Sequence, residues 1–263
     1  MSAVRPVALL RRLAVVLALP VALIAAWWVA SADSQSFYFP PLQTILQTFG
    51  KLWFSPQALQ NVVPSLARFS IGYLAAALLG IAIGLPVGAS RNLRNVLEPV
   101  LEVLRAIPPP VLVPVLILFA GIGNEMKALV IVFGCVWPVL LNTVAGVRAL
   151  DDVLAEVVRS YRIGVFARLW HFMLPGASPQ IFTGLRQSLS IGIILMVVSE
   201  MFAASDGIGF ALVQYQRTFA IPEMWSGIIL LGIIGIVLSL IFRAIEAWLL
   251  GWYYGLRRSQ RAN

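Results

Sequence analysis

The sequence is short of charge: 11% of its 263 residues are Asp, Glu, Lys or Arg, against about 25% in an ordinary soluble domain, and 60% are hydrophobic. A water-soluble globule is excluded on that ground. The one cysteine, Cys135, lies in an apolar run, so neither an intrachain disulfide nor a cysteine-based metal site can form. The one histidine, His171, stands in a basic stretch, and the chain lacks a zinc-protease helix, a Gly-x-Ser-x-Gly elbow and paired carboxylates at helical spacing within an apolar run. No covalent chemistry is expected of it. Of the two lysines, Lys51 precedes Leu52 and Lys127 follows Met126, so neither completes a phosphate loop that ends in Gly-Lys-Ser or Gly-Lys-Thr. The chain does not bind ATP in that way. Internal repeats and the duplicated half common in secondary transporters are absent as well.

Five stretches carry no charge at all, 13–32, 69–90, 106–124, 128–147 and 224–242, and each has 19 to 22 residues. A helix needs about 20 apolar residues to cross a hydrocarbon layer about 30 Å thick. A sixth run follows position 180, with Arg186 and Glu200 near its ends, where charged side chains reach the interface. The sequence thus predicts an all-α integral membrane protein, one domain over 1–263 with six transmembrane helices near 13–32, 65–90, 100–122, 127–147, 180–203 and 224–246. Pro108-Pro109-Pro110 must break the third span near its start. A cleavable leader competes for the first run, but 20 uncharged residues exceed the usual apolar core of about 7 to 15, and Trp27-Trp28 suit an interfacial anchor. Residues 42–53 predict an amphipathic helix on the outer surface.

The net charge of +8 is one-sided rather than a sign of nucleic acid. Outside the spans, twelve arginines fall on one face: Arg5, Arg11, Arg12, Arg91, Arg94, Arg148, Arg159, Arg162, Arg168, Arg257, Arg258 and Arg261. The other face has Lys51, Lys127 and Arg217. That bias places both termini in the cytoplasm, with membrane lipid around the spans. Glu102 with Arg105, and Arg243 with Glu246, are spaced for intrahelical salt bridges. Candidates for a polar translocation path are Arg68, Arg105, Asn142, Gln187, Ser199 and Glu200; a structural pairing of Glu200 with Arg68 is the equal alternative. On the outer loop 205–223, Asp206, Gly207 and Gly209 are candidates for docking an external protein.

The connection at 148–179 is long enough to be functional. It predicts helix, turn, helix: Asp151 as a cap, Leu154, Val157, Val158 and Tyr161 at helical spacing, Gly164 as the break, then 166–172 before Leu174-Pro175-Gly176. Here Glu156-Val157-Val158, a following glycine, and Leu174-Pro175 with the proline nineteen positions beyond the glutamate resemble the EAA loop of ABC importer permeases. Leu104-Arg105-Ala106-Ile107-Pro108-Pro109, Phe119-Ala120-Gly121-Ile122-Gly123, Asn142-Thr143-Val144-Ala145-Gly146 and Ala203-Ala204-Ser205-Asp206-Gly207-Ile208-Gly209 are similar to the nitrate, sulfonate and taurine branch. The resemblance spans about 38–250. The sequence departs from the pattern at Val157 and Val158, where the family has alanines, and at Arg162, where it has its glycine; Gly164 is expected to take over that turn.

The resemblance implies a type I ABC importer permease fold in the bacterial cytoplasmic (inner) membrane. It also implies a dimer of permeases, two cytoplasmic ATPase subunits that bind ATP and Mg, and a periplasmic or extracellular solute-binding protein. The coupling loop would be Glu156, Arg159, Ser160, Tyr161, Arg162, Gly164, Phe166, Leu174, Pro175 and Gly176. The solute would be a small anion such as an organosulfonate, taurine or nitrate. The rival reading is an ion-coupled secondary transporter or channel with Glu200 as its proton site; the long cytoplasmic loop and the missing repeat stand against it.

Overall fold

The computed structural model describes residues 4–202, 204–253 and 255, and the side chains of residues 4–14, 16, 57, 152 and 159 lie outside the described set. Among the described residues there are helices and no strands. In chain order they are α1 (Val4–Ser31), α2 (Leu42–Trp53), α3 (Pro56–Ala89), α4 (Arg91–Arg105), a 3-10 turn (Pro109–Leu112), α5 (Val113–Ala120), α6 (Asn124–Arg148), α7 (Asp152–Ser160), α8 (Val165–Arg168), a π-turn (Leu169–Met173), α9 (Leu174–Phe202), α10 (Ile208–Arg217) and α11 (Ile221–Leu249). Four helical segments, Ala58–Ala89, Asn124–Arg148, Val165–Phe202 and Ile221–Leu249, are long and apolar enough to cross a membrane, and Leu17–Ser31 is the apolar part of α1.

The third expected span, 100–122, is two helices. Arg91–Arg105 and Pro109–Ala120 meet at 81°. Pro109 and Pro110 bring no backbone N–H to a ladder, and Pro108 forces Ile107 away from helical geometry. The loop 148–179 also differs from expectation at its second half. Rather than stopping at Leu174-Pro175-Gly176, the helix runs on from Val165 to Phe202. The π-turn just before Pro175 explains this, since widening the coil there takes up the hydrogen bond and the clash that a proline imposes on the preceding turn.

The chain divides into two compact units, 1–58 with 211–230, and 59–210 with 231–263. The smaller unit joins α1, α2 and the start of α11 through an aromatic cluster. Trp225 donates from Nε1 to the Tyr38 carbonyl at 3.0 Å, and its ring lies 5.9 Å from that of Trp27 and 6.0 Å from that of Phe39. Trp53 donates to Ser226 Oγ at 3.0 Å, and Leu42 donates its backbone N–H to Ser31 Oγ at 3.1 Å. Leu42 and Ile45 form the buried side of α2.

The larger unit is organised around α6. Small residues recur every fourth position on α3, at Gly72, Ala76, Gly80, Gly84 and Gly88. A Cβ added to these glycines would come within 2.8 Å of Ile131, 2.8 Å of Val139, 2.7 Å of Thr143 and 2.7 Å of Val147 in turn. The pairs keep a constant offset, so α3 and α6 run parallel with backbones in close approach. Lipid gives apolar side chains no preference for each other over its own tails, so such contact by small residues is what holds membrane helices together. On the other side α9 runs antiparallel to α6. Gly184 faces the Pro138 carbonyl, while Ser188 Oγ donates to the Cys135 carbonyl at 2.9 Å. Cys135 Sγ contacts the Ser188 carbonyl at 3.3 Å, and Met126, Val130, Ile131, Leu195 and Met196 fill the space between.

Candidate functional site

Asn61, Ser65 and Arg68 stand at i, i+4 and i+7 on α3 and therefore share a face. Opposite them is Glu200, near the end of α9, and above it the turn 205–209 that leads into α10. Ser65 Oγ lies 2.7 and 2.8 Å from the two Glu200 carboxylate oxygens, and Arg68 Nη1 donates to Oε1 at 2.9 Å. The Arg68 and Glu200 side chains are 5% and 0% exposed, so this is a buried ion pair. Arg68 also ion-pairs with Asp206, donates to the Asp206 carbonyl at 3.2 Å and, through Nε, to Asn124 Oδ1 at 2.7 Å. Backbone amides complete the cluster: Gly209 N–H donates to Glu200 Oε2 at 3.0 Å, Ile208 N–H to Ser65 Oγ at 2.9 Å, and Gly207 N–H to Asn61 Oδ1 at 3.1 Å.

Both loop glycines are required by this geometry. Gly207 has φ of 116°, open to glycine and to few others, and a Cβ there would meet the Glu200 carboxylate at 2.5 Å. At Gly209 a Cβ would run into the Val197 carbonyl. The residues expected in a pathway, Arg68 and Glu200, and those expected in docking, Asp206, Gly207 and Gly209, thus converge in one network. Beside it lies a cavity of about 530 Å³ lined by Arg68, Ile122, Gly123, Asn124, Lys127, Phe202 and residues 204–206.

The other candidates are placed elsewhere. Asn142 and Gln187 meet across α6 and α9, Nδ2 to Oε1, at 3.2 Å. Ser199 is buried and donates back to the Met196 carbonyl of its own helix at 2.9 Å. Arg105 is exposed and donates from Nε to Glu102 at 2.7 Å, the expected intrahelical pair. Arg186 of α9 ion-pairs with Glu246 of α11, which the sequence had spaced for Arg243. Asn61, Ser65, Asn124 and Lys127 were not singled out by the sequence. The helical spacing of the first two from Arg68 was the available signal; nothing local marks the others.

On the loop, Asp151 Oδ1 accepts from Leu154 N–H at 3.0 Å and caps α7. Glu156 and Ser160 are exposed, as are Tyr161 at 78% and Phe166 at 74%. The Arg159 side chain lies outside the described residues. The turn is a correction to expectation: Arg162 itself adopts φ of 51°, whereas Gly164 has φ of −59°. Gly164 does not take over the left-handed position; Arg162 keeps it. Leu174, Pro175 and Gly176 belong to the first turn of α9, where a Cβ on Gly176 would collide with Leu150.

Residues 76–251 match the family described as binding-protein-dependent transport system inner membrane component. The chain is 33% identical over 238 residues to the taurine transport system permease protein TauC of Escherichia coli (strain K12), covering 88% of this chain and 86% of that one. It is 32% identical over 238 residues to the putative aliphatic sulfonates transport permease protein SsuC of Bacillus subtilis (strain 168), covering 90% and 86%. In fold it is similar to the MetNI methionine ABC transporter in inward-facing conformations, with a TM-score of 0.60 at 18% identity over 76% of this chain and 98% of that one. The C-terminal part of α3, all of α6 and α9, and the helical loop between α6 and α9 fall within the family match. The chain therefore belongs to the binding-protein-dependent inner membrane components, and is a permease subunit of an ABC importer with the type I fold.

Proposed function

We propose that this permease imports a small anionic solute with a sulfonate-like or nitrate-like head group, as a homodimer in the bacterial inner membrane. Two separate ATPase subunits bind ATP and Mg and dock on residues 148–179, and an external binding protein delivers the solute. Both termini lie in the cytoplasm, and the chain itself performs no covalent chemistry. The observation that carries the substrate reading is the 33% identity to a taurine permease along 88% of this chain. The one-sided arginine distribution supports the orientation.

Physical features of the loop support its docking role. Tyr161 and Phe166 are large, exposed and flank a tight turn, which suits them to insert into a groove, as aromatic anchors commonly do at interfaces. Glu156 is an exposed acid among arginines and suits an arginine of the partner. The helix continuous from Val165 to Phe202 gives a rigid link from that turn to the buried cluster at Glu200, so closure of the ATPases can be passed on as a tilt of α9.

The test is uptake into proteoliposomes of the intact transporter, purified with its partner subunits through a tag on this chain. ATP-dependent accumulation of labelled taurine, ethanesulfonate or nitrate, and none of choline, is the expected outcome. Uptake driven by a proton gradient without ATP would overturn the reading.

A further inference from the structure

Lys127 is one of two lysines in the chain and is 4% exposed, in the first turn of α6. Among the described residues its ammonium has neither a hydrogen bond nor an ion pair, although Glu200 and Asp206 stand in the same region. Those acids are engaged otherwise. Glu200 receives Arg68, Ser65 and the Gly209 amide, and Asp206 receives Arg68. The side chain is buried along its length while its ammonium opens onto the cavity, where its three donors are free to bind an acceptor. The place it lines is the cavity of about 530 Å³, large enough for a small solute.

A second feature of that cavity favours a negative occupant. Gly123 and Asn124, which open α6, line it too, and Gly123 provides no side-chain cap. The first amides of a 25-residue helix therefore lack a side-chain partner at the same place where Lys127 projects its charge. In the first turn of α6 the dipole favours Glu125 and disfavours Lys127, so Lys127 adds no stability to α6 itself. Both features are relieved together by one oxyanion.

We infer that the cavity between the start of α6 and the 204–206 turn is a solute site, in which Lys127 and the α6 N-terminus receive the oxyanion head group of the solute. Arg68 is not the receiving group, because its nitrogens are already committed to Glu200, Asp206 and Asn124. It holds the wall of the site instead. The cavity lining carries two cations, Arg68 and Lys127, against one acid, Asp206, which leaves a positive balance for an anion. The inference rests on the anionic substrate class proposed above.

The test uses Lys127→Cys in the intact transporter in proteoliposomes, with labelled taurine, ethanesulfonate and nitrate as probes. Uptake should fall at least tenfold while the ATPase subunits still co-purify. Treatment with aminoethyl methanethiosulfonate, which restores a primary ammonium on that cysteine at one atom beyond lysine's length, should restore uptake to within threefold of the native rate. The sulfonatoethyl reagent should not restore it, and the unsubstituted protein, whose Cys135 is buried, should respond to neither. Native-rate uptake by untreated Lys127→Cys, or equal rescue by both reagents, overturns the inference while leaving the substrate class intact. If the native transporter carries none of the three probes, the substrate class fails, and the assignment of an oxyanion to this cavity fails with it.

Discussion

Breaking the bond between Arg68 and Glu200 from one side leaves the other charge buried. Removing one member of such a pair costs about 3–5 kcal/mol, whereas replacing both by apolar side chains is often close to neutral. Arg68→Met alone is therefore expected to lower the thermal stability of the detergent-solubilised complex sharply, and Arg68→Met with Glu200→Met to recover a substantial part of the loss. Strictly additive losses would contradict the pairing. Arg162 gives a second expectation at this scale. A left-handed conformation costs a residue with a Cβ roughly 1–2 kcal/mol that glycine does not incur. Arg162→Gly should then slow hydrogen exchange in the turn 161–164, and Gly164→Ala, with φ of −59° and nothing within 4 Å of the added Cβ, should leave exchange and assembly unchanged. The substitution pattern was legible in the sequence as a displaced glycine. Which residue accepts the strain was not, because a local sequence does not fix the sign of one φ angle.

The elements were legible where composition alone decides them. Charge-free runs fall inside α6 and α11 and overlap most of α3, an apolar run interrupted by Arg186 and Glu200 falls on α9, and three consecutive prolines marked the break between α4 and α5, though not its 81° angle. The continuity of α8, the π-turn and α9 was not legible. A proline after a loop reads as a stop, and no local signal marks the wider π-turn that accommodates it. Glycines on α3 and α9 were visible, but their partners on α6 became identifiable only through the constant offset along α3 and the reversed one along α9. Gly184 offers the sharpest check of this packing. A Cβ there would stand 2.6 Å from the Pro138 carbonyl, a backbone atom with little room to move, whereas Gly50 has nothing within 4 Å. Gly184→Ala should reduce the yield of assembled, monodisperse complex several-fold in size-exclusion chromatography, and Gly50→Ala should not.

For the molecule as a whole, ordered motifs from Leu104 to Gly209 were enough to indicate the family, since each loop or span boundary carried its own signature. The buried cluster was half legible. Arg68 and Glu200 stood out because charge inside a span is rare, but Ser65, Asn61 and Asn124 are polar residues of ordinary kind whose role depends on three helices and a loop converging. On the function proposed above, the segment between α6 and α9 couples this permease to a cytoplasmic ATPase. The most direct test of this is to purify the tagged chain from its native membrane in mild detergent and identify what comes with it, in parallel with Glu156→Arg, a substitution at an exposed position. An ABC ATPase recovered with the native chain and depleted at least tenfold with the variant is the expected result. An intact permease that brings no ATPase, or a Glu156→Arg variant that retains it together with full ATP-driven uptake, would contradict the claim.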